Sequence, residues 1–483
     1  MDKERRSFLL FHSNDIHSHL EQAAKIATVI DQERETRPSD ELIVLDIGDH
    51  MDRMRVETEG SSGAVNVHIM NHIGYEAIVL GNNEGLTYTP KQMKQVYSDQ
   101  AAFRIIGSNI RDMVSGEVPE WMVPYEILQK GDLRIGLIGV TVAFTEFYEL
   151  LGWHLLNPYD VIAELTAELR PQVDVLIVMS HLGLSHDRAI AERVPCIDLI
   201  LGGHTHHLFE QAEKIGDTYI CAAGKFGSHL GRVELDFEVE SRRCTILRAE
   251  AVSLEGVPPD PAILSIIEQY GVIAEQNLGK IVAKLDHDLP VAVEEESPLA
   301  NLLAAALKAW TGAEIGLTNT GQLLAPLEVG DITLETLHRI CPSPINPCLL
   351  RLTGAQLLQS LEEALLQEFQ QRVIRGYGFR GRVLGTIAVD GLEIYYDLNQ
   401  PPYERIQEVI VSGTGNRLQK EEVYEVATLD MFTFGVGYMA LKEGAERRYF
   451  LPEFIRDLLA WALGQGSMLT ACQSKHWHLL STE

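Results

Sequence analysis

Short apolar runs alternate with helical patterns over the first 255 residues of the chain. The runs Phe8–Phe11, Leu42–Asp46, Ala77–Leu80, Arg104–Gly107, Arg134–Val140, Val175–Met179 and Leu199–Leu201 predict strands. Apolar positions at helical spacing in Glu21–Glu35 and Tyr159–Leu169 predict helices between them. Strand and helix in this alternation predict an α/β layered domain. Residues 217–253 read as consecutive strands, with strict alternation in GRVELDFEVE, so the sheet is expected to be mixed.

The pattern then changes. Prolines and an aspartate at the start of residues 256–278 predict a helix leading out of the first domain. From about 279 the pattern restarts. Ser297 reads as an N-cap with Pro298 at the first helical position, Leu299, Leu302, Leu303 and Leu307 form the apolar stripe, and Gly312 ends the helix. A second helix over Gly354–Phe369 and Gly- and Arg-rich hairpin signals at 375–395 follow. The expected organisation is a domain over 1–255, a linker helix over 256–278 and a second domain over 279–483, with a loosely ordered tail after 466.

Composition narrows the class. The chain has 483 residues, 46% apolar and 23% charged, with a formal net charge of −29. That acidity argues against nucleic acid or an anionic membrane as partner. A phosphate-bearing small molecule would need local positive charge, from metal ions or clustered arginines. MDKERRSFLLFHSND has too short an apolar run for a signal-peptide core. The six cysteines (196, 221, 244, 341, 348 and 472) form no C-x-x-C pair and read as reduced thiols. The expected location is cytoplasmic; the oligomeric state is left open.

Histidine redirects attention to the first half, where thirteen of the seventeen lie within the first 229 residues. Five segments there share one layout, each following an expected strand and opening a loop: Asn14-Asp15-Ile16-His17, Gly48-Asp49, Gly81-Asn82, Ser180-His181 and Gly202-Gly203-His204-Thr205-His206. Sites in α/β sheets assemble from loops at the carboxyl ends of strands. Aspartate, asparagine and histidine are the donors that hard and borderline divalent ions take. A lone D-x-H or G-D is weak, since Asp49 suits a turn and His181 suits a core. Five in order are hard to reach by chance. Asp15, His17, Asp49, Asn82, His181, His204 and His206 are more donors than one ion uses, which predicts two divalent ions, with Mn, Zn, Fe, Co and Mg all open. Two ions sharing a carboxylate suit phosphoester or phosphoanhydride hydrolysis by a bridging hydroxide.

This order of motifs resembles the calcineurin-like metallophosphoesterases. FLLFHSNDIHSHL and YEAIVLGNNEGL resemble the two signatures of the 5′-nucleotidase / UDP-sugar hydrolase family, and ESPLANLLAAALKAW, TNTGQLL and FTFGVGY resemble its C-terminal substrate domain. The resemblance implies a four-layer α/β/β/α metal domain followed by an α+β nucleotide-binding domain. It further implies that Asp15, His17, Asp49 and His206 hold one ion, and that Asp49, Asn82, His181 and His204 hold the other.

The departures cluster. The family reads G-N-H-E-F-D where this chain reads Gly81-Asn82-Asn83-Glu84-Gly85-Leu86, so the catalytic dyad of histidine and aspartate is replaced by Asn83 and Leu86. Phe434-Gly435-Val436-Gly437-Tyr438 lacks an aspartate of the family's pattern, and Gln322 stands for an arginine. An amide can donate to a phosphoryl oxygen but cannot titrate. His207, His19 and His50 are alternative proton carriers, although for each the reading as a supporting or surface histidine is favoured over that of a replacement acid. Arg372, Arg375, Arg380 and Arg382 lie among glycines and suit an anion-binding loop or a solvated face. Phe379, Phe432, Phe434 and Tyr438 are candidates to stack a base, or core residues.

The reading is a metal-dependent phosphohydrolase of the 5′-nucleotidase type acting on nucleotides or related phosphates. Its expected site comprises Asn83 and His207 as catalytic candidates and Arg375, Phe379, Arg380, Phe432, Phe434 and Tyr438 as substrate contacts. The alternatives are a nucleotide-sugar, phosphoanhydride or phosphodiester hydrolase, and a non-catalytic nucleotide sensor.

Overall fold

The computed structural model describes residues 4–480, which divide into one unit ending at Ala274 and another beginning at Glu275. The first unit has twelve strands in its two main sheets: β1 (Arg5–Ser13), β2 (Leu42–Asp46), β3 (Ala77–Val79), β4 (Arg104–Ile106), β5 (Glu126–Lys130), β6 (Leu133–Thr141), β7 (Val175–His181), β8 (Leu199–Gly202), β9 (Glu213–Ile215), β10 (Thr218–Cys221), β11 (His229–Glu238) and β12 (Arg243–Ser253). One sheet has the order β12-β11-β1-β2-β3-β4, the other β9-β10-β8-β7-β6-β5. β1 to β4 are mutually parallel, as are β6, β7, β8 and β10. β11 and β12 add antiparallel strands, which makes the sheet mixed.

Period-2 alternation decides what each sheet buries. Phe8 and Leu10 of β1, Ile43 and Leu45 of β2, Leu137 of β6, Ile177 of β7 and Leu201 of β8 all enter one core between the two sheets. Leu9 and Phe11, on the other face of β1, are equally buried, as in a sheet covered on both sides. Helix α1 (Leu20–Arg34) buries Leu20, Ala23, Ala24, Ile26, Ala27 and Ile30, and packs beside the helix Ala64–Ile73. Ile162, Leu169 and Ile190, from two further helices, close the outer face of the second sheet. The layers run helix, sheet, sheet, helix. A short helix, α2 (Asn82–Thr87), follows β3.

The helix Pro261–Leu278 begins at the third proline of the segment 256–278, and its residues up to Ala274 pack within the first unit. Tyr270 Oη lies 2.9 Å from His68 Nδ1, and Gly60 sits against Ala274 so closely that a methyl group there would collide.

The second unit centres on a five-stranded sheet in the order Ile387–Asp390, Ile315–Asn319, Val423–Leu429, Pro347–Thr353, Ala445–Tyr449. The helix Pro298–Thr311 lies on it with Leu299, Leu302, Leu303 and Leu307 buried, and Gly312 (φ +76°) ends it. Ser297 occupies the N-cap position, yet its side chain makes no capping bond. The expected helix over Gly354–Phe369 breaks at Ala364 and resumes over Gln367–Gln370. The stretch after 466 is not a loose tail. It forms the helix Gly466–Ala471 and the strand Trp477–Leu479, which pairs with Leu392–Tyr396. Two interactions seat that strand. Glu296 accepts the backbone N–H groups of His476 and Trp477, and the Trp477 indole donates to the Ile387 carbonyl at 3.1 Å. Among the described residues no helix is long and apolar enough to cross a membrane. All six cysteines are free thiols.

Candidate metal centre

Every one of the five loops leaves the carboxyl end of a parallel strand. β1 ends at Ser13 before Asp15, β2 at Asp46 before Asp49, β3 at Val79 before Asn82, β7 on His181 itself and β8 at Gly202 before His204. The two sheets therefore deliver their polar loops to one place. The backbone there is unusual. Asp15 (φ +51°), His17 (+47°), Asp49 (+53°), His204 (+71°) and His206 (+57°) are all left-handed. That conformation costs an L-residue roughly 1–2 kcal/mol, and it persists only where the surroundings over-determine it. Here the loops hold one another: Asp15 N–H donates to the Gly48 carbonyl at 3.0 Å and His17 N–H to the Asp49 carbonyl at 2.8 Å.

Two groups of donors converge. Asp15, His17 and His206 form one; Asp15, Asp49 and His181 form the other. His206 Nε2 is 3.4 Å from Asp15 Oδ1 and 3.2 Å from His17 Nε2. Asp49 splits its carboxylate, with Oδ1 3.4 Å from His181 Nε2 and Oδ2 3.8 Å from His17 Nε2. Asn82 Oδ1 and His204 Nδ1 are 2.8 Å apart, and the His204 ring lies beside that of His181. All seven predicted ligands thus meet in one chain of contacts.

His181 tests whether a cation fits. It is fully buried, its Nδ1 lies 2.7 Å from the Ile47 carbonyl oxygen, and its Nε2 has no hydrogen-bond partner. An imidazole that donates from one nitrogen to a backbone carbonyl holds the other as a lone-pair donor, which is how histidine ligands of metals are oriented. The electrostatics show what competes for that lone pair. Burial alone would lower the pKa of His181, but Asp49 and Asp15 outweigh it and hold the imidazole at about 10, so with no ion Nε2 carries a proton toward Asp49 that a cation would have to displace. Asp49, despite a burial that works the other way, is kept well below the usual carboxylate range by His181 and His17. The pocket draws positive charge. Burial, and then His181, pulls His204 down to about 4, leaving it in the neutral form that ligation requires. The donor set fits divalent ions.

Sequence reasoning missed several supporting groups. Asn14 pins the first loop, donating to Asp15 Oδ2 and to the Gly224 carbonyl, both at 2.8 Å. Glu84, read only as part of a loop, is 1% exposed and bonds to three backbone N–H groups. The signal available was its place three residues after Gly81, at the start of a short helix. Gly81 itself must lack a side chain, because a methyl group there would collide with Asp49 Oδ1.

The two catalytic candidates separate. Asn83 is inside the cluster: its amide nitrogen lies 2.7 Å from His17 Nδ1 and donates to Asp49 Oδ2 at 3.3 Å, and its backbone N–H donates to Asp49 Oδ1 at 2.8 Å. His207 is exposed and bonds locally to Thr205 Oγ1.

The substrate candidates, in the second unit, also divide. Phe379, Phe432 and Tyr438 are buried, and Tyr438 Oη donates to the Gly385 carbonyl. They are core residues and offer no open ring face, the packing alternative for these positions. Phe434 is 39% exposed and stacks on Tyr377, 57% exposed, with ring centroids 6.0 Å apart. Tyr377, between two glycines, is the aromatic that sequence reasoning overlooked. Arg375 is exposed, Arg380 donates from its backbone to Ser343 Oγ, and Arg372 lies over Phe369 and reaches the Gly437 carbonyl.

Comparison with known proteins follows the same division. The calcineurin-like phosphoesterase family matches residues 8–208, and the 5′-nucleotidase C-terminal domain matches residues 277–443. An uncharacterized metallophosphoesterase of Bacillus subtilis (strain 168), YunD, is 38% identical over 460 residues, covering 94% of this chain and 99% of its own. Human 5′-nucleotidase is 24% identical over 503 residues, covering 90% of this chain and 84% of its own. Among solved structures, the NAD nucleotidase of Haemophilus influenzae matches with a TM-score of 0.68 at 15% identity, covering 99% of this chain and 100% of that one.

Proposed function

The chain belongs to the calcineurin-like metallophosphoesterases that carry a 5′-nucleotidase C-terminal domain, and from that premise we propose a hydrolase of nucleotide phosphates that favours bonds with a good leaving group. It is a phosphoesterase of the 5′-nucleotidase type, and calcineurin-like phosphoesterases use divalent metals. Two ions, held by Asp15, His17, Asp49 and His206 and by Asp49, Asn82, His181 and His204, are the assignment that the donor geometry supports. When bound, such ions supply Lewis acidity, lowering the pKa of water and drawing charge from a phosphoryl oxygen. The observation that carries this reading is His181, oriented by the Ile47 carbonyl with Nε2 turned toward Asp49.

The preference for a good leaving group rests on Asn83. Its amide touches His17 and Asp49, where it can orient both and donate to a phosphoryl oxygen, and it carries no titratable proton. Leu86, three residues further along α2, offers no carboxylate. The chain's own residues therefore bind and orient, and protonation of a poor leaving group falls to water. In the second unit, Tyr377 and Phe434 present ring faces and Arg375 a charge to a nucleotide.

The test is a hydrolysis screen of the full chain with Mn²⁺, Zn²⁺, Co²⁺, Fe²⁺ and Mg²⁺ over nucleoside monophosphates, dinucleotides, cyclic nucleotides and nucleotide sugars. Dinucleotides and nucleotide sugars are expected to be cut faster than monophosphates with at least one ion. Tight nucleotide binding with no hydrolysis under any ion would replace this reading with that of a sensor.

A further inference from the structure

Glu84 joins two ligand loops that also meet through Asn83, which donates from its backbone to Asp49 Oδ1 and from its amide to Asp49 Oδ2. Its Oε2 accepts the backbone N–H of Asp49 at 3.0 Å and of Gly81 at 2.9 Å, while Oε1 accepts that of Met51 at 2.7 Å. The carboxylate is 1% exposed. One side chain thus bonds to the backbone of Asp49, to that of Met51 two residues on, and to that of Gly81 just before Asn82.

What it holds is held with difficulty. Gly48 (φ +86°) and Asp49 (φ +53°) are both left-handed. A non-glycine residue keeps that conformation only under outside constraint. Gly81 approaches Asp49 so closely that a side chain at 81 would strike its carboxylate. A rotation at Asp49 would therefore move both of its oxygens, Oδ1 facing His181 and Oδ2 facing His17. Three backbone N–H groups held by the two oxygens of one buried carboxyl make a rigid joint.

We propose that Glu84 is a positioning residue: its carboxylate locks the Asp49 loop to the Asn82 loop and so sets the spacing of the two ion sites. This rests on the assignment of Asp49 and Asn82 as ligands. It requires that Glu84 itself bind no ion and act only through the backbone it holds.

Metal-stripped full-length wild type, Glu84→Gln and Glu84→Asp would be titrated with Mn²⁺ alone by calorimetry. Paramagnetic resonance would follow the exchange-coupled signal of two neighbouring ions. Groups that orient a ligand typically change affinity about 10–100-fold when lost. The glutamine variant, which places an N–H against backbone N–H, is expected to weaken binding within that range and to lose the coupled signal. The aspartate variant, one methylene short, is expected to fall between. A role in stability alone would lower the melting temperature of the metal-free protein while leaving Mn²⁺ affinity and coupling at wild-type values, and that result overturns the proposal. If the glutamine variant does not fold, the same two readings on the aspartate variant decide. Failure of wild type to bind Mn²⁺ would bring down the ligand assignment and the joint with it, whereas wild-type binding by both variants removes the joint alone.

Discussion

Asp49→Asn is expected to give a folded protein stripped of most of its divalent metal and of nearly all hydrolysis. The fold should survive for two reasons. Asparagine tolerates the left-handed φ of +53° at this position better than most residues. Its amide oxygen can also go on accepting the Asn83 backbone N–H that Asp49 Oδ1 accepts at 2.8 Å. What disappears is the negative charge shared between His181 and His17. Loss of several kcal/mol of charge stabilisation, at about 1.4 kcal/mol per decade, corresponds to a fall of roughly a thousandfold. Asp15 belongs to both converging groups, so Asp15→Asn is the necessary companion. If Asp49 is the shared carboxylate, its variant should lose more metal than the Asp15 variant. Elemental analysis finding two ions on a folded Asp49→Asn chain would remove Asp49 from the bridging role.

The metal loops were legible because their chemistry is local. The first predicted ligand of each loop lies within three residues of the end of its strand, and a strand end can be read from the apolar run that forms it. Asp15-x-His17 and His204-x-His206 needed only their spacing. What stayed hidden depends on contacts across the chain. Left-handed backbone at five ligands follows from loops that brace one another, Asp15 on Gly48 and His17 on Asp49, and no local propensity announces it. Glu84 looked like a loop residue because its partners Asp49 and Met51 lie over thirty positions away. The aromatics of the second unit were ambiguous for another reason. A phenylalanine in a core and one in a binding face have the same neighbours in sequence. Burial alone separates Phe432 and Tyr438 from Phe434. The last strand, Trp477–Leu479, was missed because its polar flanks read as a tail, while Glu296, far upstream, supplies the bonds that seat it.

Asn83→His together with Leu86→Asp is expected to raise hydrolysis of a nucleoside 5′-monophosphate far more than that of a dinucleotide or nucleotide sugar. A general acid contributes about 10²–10⁴-fold, and most where the leaving group is poor. The ribose hydroxyl of a monophosphate is such a group. A leaving phosphate has a second pKa of about 6 and departs without a proton at neutral pH. Geometry favours the repair. Residue 83 already places its side chain against His17 and Asp49, and its backbone N–H bond to Asp49 does not depend on the side chain. Residue 86 lies three positions on in α2, on the same face, where a carboxylate could orient an imidazole at 83. Asn83→His alone should give a smaller gain, since nothing would fix its ring. The measurement is the ratio of monophosphate to anhydride turnover in wild type, the single variant and the double variant, each with its metal content checked. A wild type that already favours the monophosphate, or a double variant that lifts both substrates equally, would mean that another group supplies the proton and that residue 83 does not set the substrate.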